Sequence, residues 1–378
     1  MMLLDKYRNS NIEVLRILAM LFIIMHHMIS QGFSFSQNPE PSVNLAFLLA
    51  FNSLGNFGNK LFIIISGYFL YGSKFSVKKI VSVWLELFIY SFGISLILFI
   101  FNVQIYGVAG NGFCFTRILE KRDFRITELF FSALPFITGQ NWFLTAYLIF
   151  LLFVPFLNVL VDNLDMRMHI LLNVLCFFLF NAVQLIPFAD VYVINNYSSF
   201  FQMFFAGSFL KKYSNMFSSR CRKIMLCTGI CLPVMYYVIR FAVFNHYGYY
   251  ENVPSWVFNL VITAFAYDTI FIISSFMIFA GVLGLKERHN GFINLVASTT
   301  FGVYLFHDHN YFRRNIWFDF CHLQEHFESA DFIAHMILCV LAVFCVCASV
   351  DFARKILLEP GCRLVSGKVE KIVSSFAV

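Results

Sequence analysis

A chain of 378 residues that is 60% hydrophobic and only 13% charged, with a mean hydropathy of +0.74, is not an ordinary soluble protein, in which about 25% of residues are charged. The composition is that of a multi-pass membrane protein. The net charge of +6 is no nucleic-acid footprint, because no loop interleaves basic and aromatic residues.

A span needs about 20 mostly apolar residues. Ten candidates follow one another at 12–31, 45–71, 80–103, 142–162, 168–188, 198–211, 223–244, 256–284, 293–312 and 332–357. The expected fold is therefore all-α, a polytopic helical bundle forming a single membrane domain over residues 1–378. Lys6 and Arg8 precede the first run as in a signal peptide. No small-residue cleavage site follows, so the run is read as a retained span.

Loop charges set the orientation. Lys74, Lys78 and Lys79, then Lys211, Lys212, Arg220, Arg222 and Lys223, then Lys286 and Arg288, and finally Arg354 to Lys371 all fall on one side of a ten-span bundle. That side is expected to be cytoplasmic, with both termini there. Residues 104–127 break the rule with Arg117, Lys121, Arg122 and Arg125. They lead into an apolar run, Leu129 to Ile137, that is too short to span and reads as a re-entrant or interfacial helix. The cations could attract acidic polymer or lipid headgroups, or form a solvated cluster.

Most of the ten cysteines sit inside apolar runs. Buried Cys acts as a small hydrophobe, there is no CxxC, and no metal spacing is present. A disulfide between Cys114 and Cys321 is conceivable if both lie outside.

Chemistry concentrates in the first span, NIEVLRILAMLFIIMHHMISQG, from Asn11 to Gly32. Arg16 and His27 are eleven residues apart, roughly 16 Å along a helix. Ionisable groups inside a span carry a functional expectation by default. An imidazole, with an unperturbed pKa of about 6.5, suits general-base work. A basic inner mouth of Arg16, Lys74, Lys78 and Lys79 suits phosphates. His307, Asp308, Arg240, Trp142 and Tyr147 fall at the outer level with His27.

Arginine, ten residues, then histidine in the first span resembles the integral-membrane acyltransferase family 3, which includes O-acetyltransferases of bacterial surface polysaccharides. FIIISGYFL (Phe62 to Leu70), NWFLTAYLIFLLFVPFLN (Asn141 to Asn158) and FGVYLFHDH (Phe301 to His309) resemble further blocks of that family, in its order. The resemblance implies transfer of an acyl group, usually acetyl, from cytoplasmic acetyl-CoA to a hydroxyl at the outer side, with no metal.

Residue by residue, the resemblance makes His27 the catalytic base or the acylated nucleophile and Arg16 a catalytic or CoA-binding residue. Lys74, Lys78 and Lys79 stand where the family often has arginines, and a purely topogenic role is open for them. Trp142, Tyr147, Tyr304, His307 and Asp308 become candidate acceptor-binding residues, against aromatic-belt and structural hydrogen-bonding readings. Glu13 could pair with Arg16 in a structural ion pair. His26, pointing about 100° away from His27, reads as packing, as do Ser66, Gly67 and Tyr68. Glu86 and Asp268 have no assigned role.

The expected partners are acyl-CoA, a glycan or lipid-linked sugar and membrane lipids. The expected location is the inner (plasma) membrane. The rival readings are a lipid-linked glycan flippase and a non-catalytic partner in glycan assembly.

Overall fold

A computed structural model describes residues 8–34, 39–107, 119–181, 195–258 and 269–375, with only the backbone of 195–197. Its elements in chain order are α1 (Ser10–Gln31), α2 (Val43–Phe51), α3 (Leu54–Leu70), α4 (Val77–Ile100), β1 (Ile105–Tyr106), β2 (Lys121–Arg122), α5 (Ile126–Ala133), α6 (Trp142–Asp162), α7 (Met166–Phe180), α8 (Asn195–Lys212), α9 (Ser219–Tyr247), α10 (Ser255–Val257), α11 (Thr269–Val282), α12 (Gly291–Ser298), α13 (Thr300–His307), α14 (Arg313–Asn315), α15 (Leu323–His326), α16 (Phe332–Leu357) and α17 (Glu359–Ser375). A π-helical turn, Ile316–Phe320, follows α14. Among the described residues the β-structure is one antiparallel two-stranded ladder, Ile105 opposite Arg122 and Tyr106 opposite Lys121.

Each of the ten apolar stretches contains a helix, but the expected count of ten spans is not confirmed among the described residues. Among the described residues six segments are long and apolar enough to cross a membrane: α1, α2 with α3, α4, α6, α9 and α16. α7 and α11 are apolar but shorter. The ninth stretch is broken between α12 and α13 at Thr299. Residues 182–188 and 259–268, which belong to the fifth and eighth stretches, lie outside the described residues, as do Asp268, Cys114 and Arg117.

The short apolar run does form a helix, the eight-residue α5. At 1.5 Å per residue it is about 12 Å long, well short of a bilayer core of about 30 Å.

The chain divides into two compact units. The first comprises Met1–Ile29, Asn38–Ser73 and Val154–Ala297, and the second Ser30–Gln37, Lys74–Phe153 and Ser298–Val378.

In the first unit, glycine sets the helix spacing. A Cβ on Gly67 would stand 2.7 Å from the Cα of Phe204, and one on Gly207 would stand 2.6 Å from the Tyr68 nitrogen. α3 and α8 therefore touch backbone to backbone. This is how membrane helices associate, since lipid removes the hydrophobic drive and leaves close packing. Gly67, inside the SGY block, thus has the packing role expected of it. Gly58 does the same against the Ala19 carbonyl of α1, where a Cβ would stand 2.5 Å away.

In the second unit, α13 lies against α16, and α17 returns to the start of α4. Ser76, the N-cap of α4, donates to Glu370 of α17 at 2.9 Å. Leu98, Ile105, Phe124 and Tyr311 form a small core under the hairpin.

Candidate active site

The first unit carries Arg16 and His27 on one helix. Near the start of α1 the buried Glu13 accepts from Arg8 at 3.1 Å and from Arg16 at 3.3 Å, and the Arg16 guanidinium stands 5.3 Å over the Phe69 ring. The structural ion pair foreseen for Arg16 therefore exists. The same end of α1 is tied to α12 and the segment before it. Ser10 Oγ donates to Asn294 Oδ1 at 2.8 Å, and Asn11 Nδ2 donates to the Lys286 carbonyl at 2.9 Å. Arg16 is thereby held in a fixed frame.

His26 and His27 diverge as adjacent helical residues must. The His26 ring bonds through Nδ1 to the Asn52 carbonyl and lies so close to Gly55 that a Cβ there would stand 2.6 Å from it. His26 is a packing and hydrogen-bonding residue. His27 is half-buried, its ring centroid 5.4 Å from that of His26.

The Asn52 carbonyl is available because the second span is broken there. α2 ends at Phe51 and α3 begins at Leu54. A helix end leaves carbonyls without intrahelical partners, and in hydrocarbon those must be satisfied by protein. Arg240 of α9, which is 3% exposed, donates to the Leu49 carbonyl at 2.7 Å and to the Tyr236 hydroxyl at 2.7 Å. Cation and freed carbonyls attract each other, as at any helix C-terminus. Asn52, Ser53 and Tyr237 are buried at the same break, and Phe51 stacks on Tyr237 at 5.1 Å. Ser53 hydrogen-bonds the Tyr236 and Tyr237 side chains, while Asn52 Oδ1 and Arg240 Nε have no hydrogen-bond partner among the described residues. Unsatisfied buried polar groups cost about 1–3 kcal/mol each, so two of them at the break that His26 meets mark a place built for more than packing.

Lys60 of α3 went unremarked in the sequence. It is buried and donates to Ser199 Oγ at 2.6 Å. A lone lysine inside an apolar run was the signal available to find it.

The remaining predicted site residues belong to the second unit. Lys74, Lys78 and Lys79 are exposed around the start of α4. Trp142 is exposed at the start of α6 and Tyr147 is half-buried one turn on. Tyr304, His307 and Asp308 are brought together at the end of α13, all buried. Tyr304 hydrogen-bonds Asn141 and packs edge-on to Phe143 at 5.4 Å. His307 donates from Nδ1 to the Val303 carbonyl at 2.7 Å, which fixes its tautomer, and Asp308 pairs with Arg313 at 3.1 Å. His309, the last residue of that block, reaches the Ser91 carbonyl of α4 at 3.1 Å.

Glu86, unassigned from sequence, belongs to a buried charge cluster. Arg354 donates to Glu86 at 2.9 Å, Asp351 at 2.7 Å and Glu359 at 3.3 Å. Asp351 also accepts from the Tyr90 hydroxyl at 2.8 Å and pairs with Lys355 at 3.3 Å. α13 crosses here at Gly302, where a Cβ would stand 2.1 Å from Asp351 Oδ1.

At the other end of this unit a cavity of about 600 Å³ is lined by Tyr106, Lys121, Phe318, Asp319, His322, Gln324 and Glu325. Asp319 accepts from Lys121 at 2.9 Å, Tyr106 at 2.8 Å and Asn315 at 2.9 Å. Partial burial alone would raise its carboxyl, but these donors hold it below the usual carboxylate range. Burial and the bond to Asp319 push the Tyr106 hydroxyl up. Lys121 and Arg122, two of the rule-breaking cations, are thus paired with Asp319 and Glu128.

Among the described residues no group of three or more His, Cys, Asp or Glu side chains is arranged to hold a metal ion. The family model for the acyltransferase domain, Acyl_transf_3, matches residues 9–352, and the chain belongs to that family. It is a helical membrane protein of the acyltransferase class. No curated protein and no solved structure matches it.

Proposed function

We propose that the protein transfers an acetyl group from cytoplasmic acetyl-CoA to a sugar hydroxyl of an envelope glycan or exopolysaccharide, with His27 as the group that takes the acceptor's proton or carries the acyl group. The observation that carries this reading is the division of labour on α1 within a family of acyltransferases. Arg16 is locked near one end by Glu13, while His27, roughly 16 Å further along, is half-buried next to His26, the residue that meets the broken second span.

The basic residues Arg16, Lys74, Lys78 and Lys79 suit the phosphates of CoA, whose long arm ends in the thioester. Aromatic faces, carboxylates and an amide line the cavity at Tyr106 and Phe318, and these are the groups that hold sugars. Trp142, Tyr147, Tyr304, His307 and Asp308 are proposed to contact or position the acceptor. On this reading the protein sits in the inner membrane with both termini in the cytoplasm.

One observation favours a second reading. A broken membrane helix capped by a buried cation, here Arg240, is also how transporters build substrate sites, so a flippase of lipid-linked glycan is the rival.

The deciding experiment is the O-acetyl content of the host's surface glycan by NMR in intact, deleted and His27→Ala strains at matched membrane abundance. Loss of acetyl signals in both altered strains is expected. If the deletion removes the glycan while His27→Ala leaves it present and fully acetylated, the flippase or assembly-partner reading replaces this one.

A further inference from the structure

The π-helical turn that carries Trp317, Phe318 and Asp319 ends at Cys321. Cys321 is 7% exposed, as is Cys339 in the second turn of α16. The two thiol side chains are hydrogen-bonding neighbours, and Cys339 Sγ donates to the Cys321 carbonyl oxygen at 3.9 Å. His335, one turn before Cys339, donates from Nε2 to that same carbonyl at 2.7 Å and lies 3.5 Å from Cys339 Sγ. His326 stacks on the His335 ring with centroids 3.9 Å apart. The Cys339 sulfur therefore lies against both Cys321 and the His335 ring.

We propose that Cys321 and Cys339 form a disulfide in the mature protein, made by thiol–disulfide exchange with a disulfide-donating oxidoreductase while the chain folds. Cys339 gives up its proton and attacks one sulfur of the donor's disulfide. The donor's other sulfur leaves as a thiolate, which takes a proton. Cys321, deprotonated in turn, attacks the Cys339 sulfur of the mixed disulfide and expels the donor's second thiolate. Two electrons pass from the two cysteines to the donor, which is left as a dithiol.

Such a bridge persists where the surroundings are oxidising, which is the side the loop charges assign to residues 313–331. It closes a loop over residues 322–338 and pins the cavity-bearing turn to α16. The pairing with Cys114 considered from sequence falls outside the described residues. The inference holds whatever the protein acylates.

Cells expressing the full chain are quenched in acid and denatured, and free thiols are blocked with N-ethylmaleimide before any reductant is added. Digestion with Glu-C cuts between the two cysteines at Glu325 and Glu328. Mass spectrometry is then expected to find the Cys321 and Cys339 peptides joined, and to find them separate and unblocked after reduction. Cys321→Ser and Cys339→Ser should each free the other thiol to N-ethylmaleimide. Full blocking of both cysteines in the unreduced wild-type protein overturns the proposal. So does Cys321 joined to any residue other than Cys339.

Discussion

Arg240 and Arg354 are both buried arginines, and they are answered in opposite ways. In the first unit Arg240 is held by a backbone carbonyl and a hydroxyl, both neutral. In the second unit Arg354 is held by three carboxylates. A guanidinium among carboxylates is compensated and geometrically closed. A guanidinium on carbonyls keeps its charge within the fold, where a group acquiring negative charge would feel it. The difference teaches where structure ends and a site begins: the Arg354 cluster reads as a clamp on α4, α16 and α17, while the α2–α3 break retains unspent polar capacity.

Removing one member of the Arg354 cluster should have the largest effect on folding. Arg354→Leu strands Glu86 and leaves the fully buried Asp351 with only Lys355 and Tyr90, and breaking a buried pair this way costs about 3–5 kcal/mol. Thermal unfolding in detergent should show a lower midpoint and reduced membrane abundance, largely recovered when Glu86→Gln and Asp351→Asn are added. Unchanged stability in the single variant would erase the contrast.

Arg240→Met is the next test. It removes the charge and both hydrogen bonds but leaves no carboxylate stranded, so a smaller loss of about 1.5–3 kcal/mol is expected. Acyl transfer should fall more than the unfolding midpoint predicts. A variant that is merely less stable, with wild-type turnover per folded molecule, would make the break a structural joint only.

Gly67→Ala isolates packing from charge. Its new methyl meets the Phe204 backbone, and overpacking of this kind costs about 1–3 kcal/mol, read as a lowered midpoint with turnover per folded molecule unchanged. The smallest effect is expected from Asp319→Asn. The pair with Lys121 is partly exposed, so its loss costs about 1 kcal/mol or less, and limited trypsin digestion after Lys121 or Arg122 should quicken modestly.

Apolar run lengths made the helices legible, and the spacing from Arg16 singled out His27, with helix geometry turning His26 about 100° away. The break at Asn52–Ser53 was not legible, because neither Gly nor Pro marks it. It is held open by Arg240, 188 positions later in the chain numbering. Glu86 stayed unexplained for the same reason, since its partner lies on α16. The Gly302–Asp351 contact also joins distant segments. Periodicity reports which face of a helix is apolar, but not which distant residue completes a polar one.

The broken second span also has a consequence for how the chain enters the bilayer. α2 has nine residues and α3 seventeen, so at 1.5 Å per residue they reach about 13 Å and 26 Å. Neither crosses a core of about 30 Å by itself, so the insertion machinery must accept both halves as one segment. Asn52 and Ser53 then enter the hydrocarbon before α9, and with it Arg240, has been synthesised. Until that helix arrives, the carbonyls at the joint depend on water or His26, and the order of synthesis becomes part of how this membrane protein assembles.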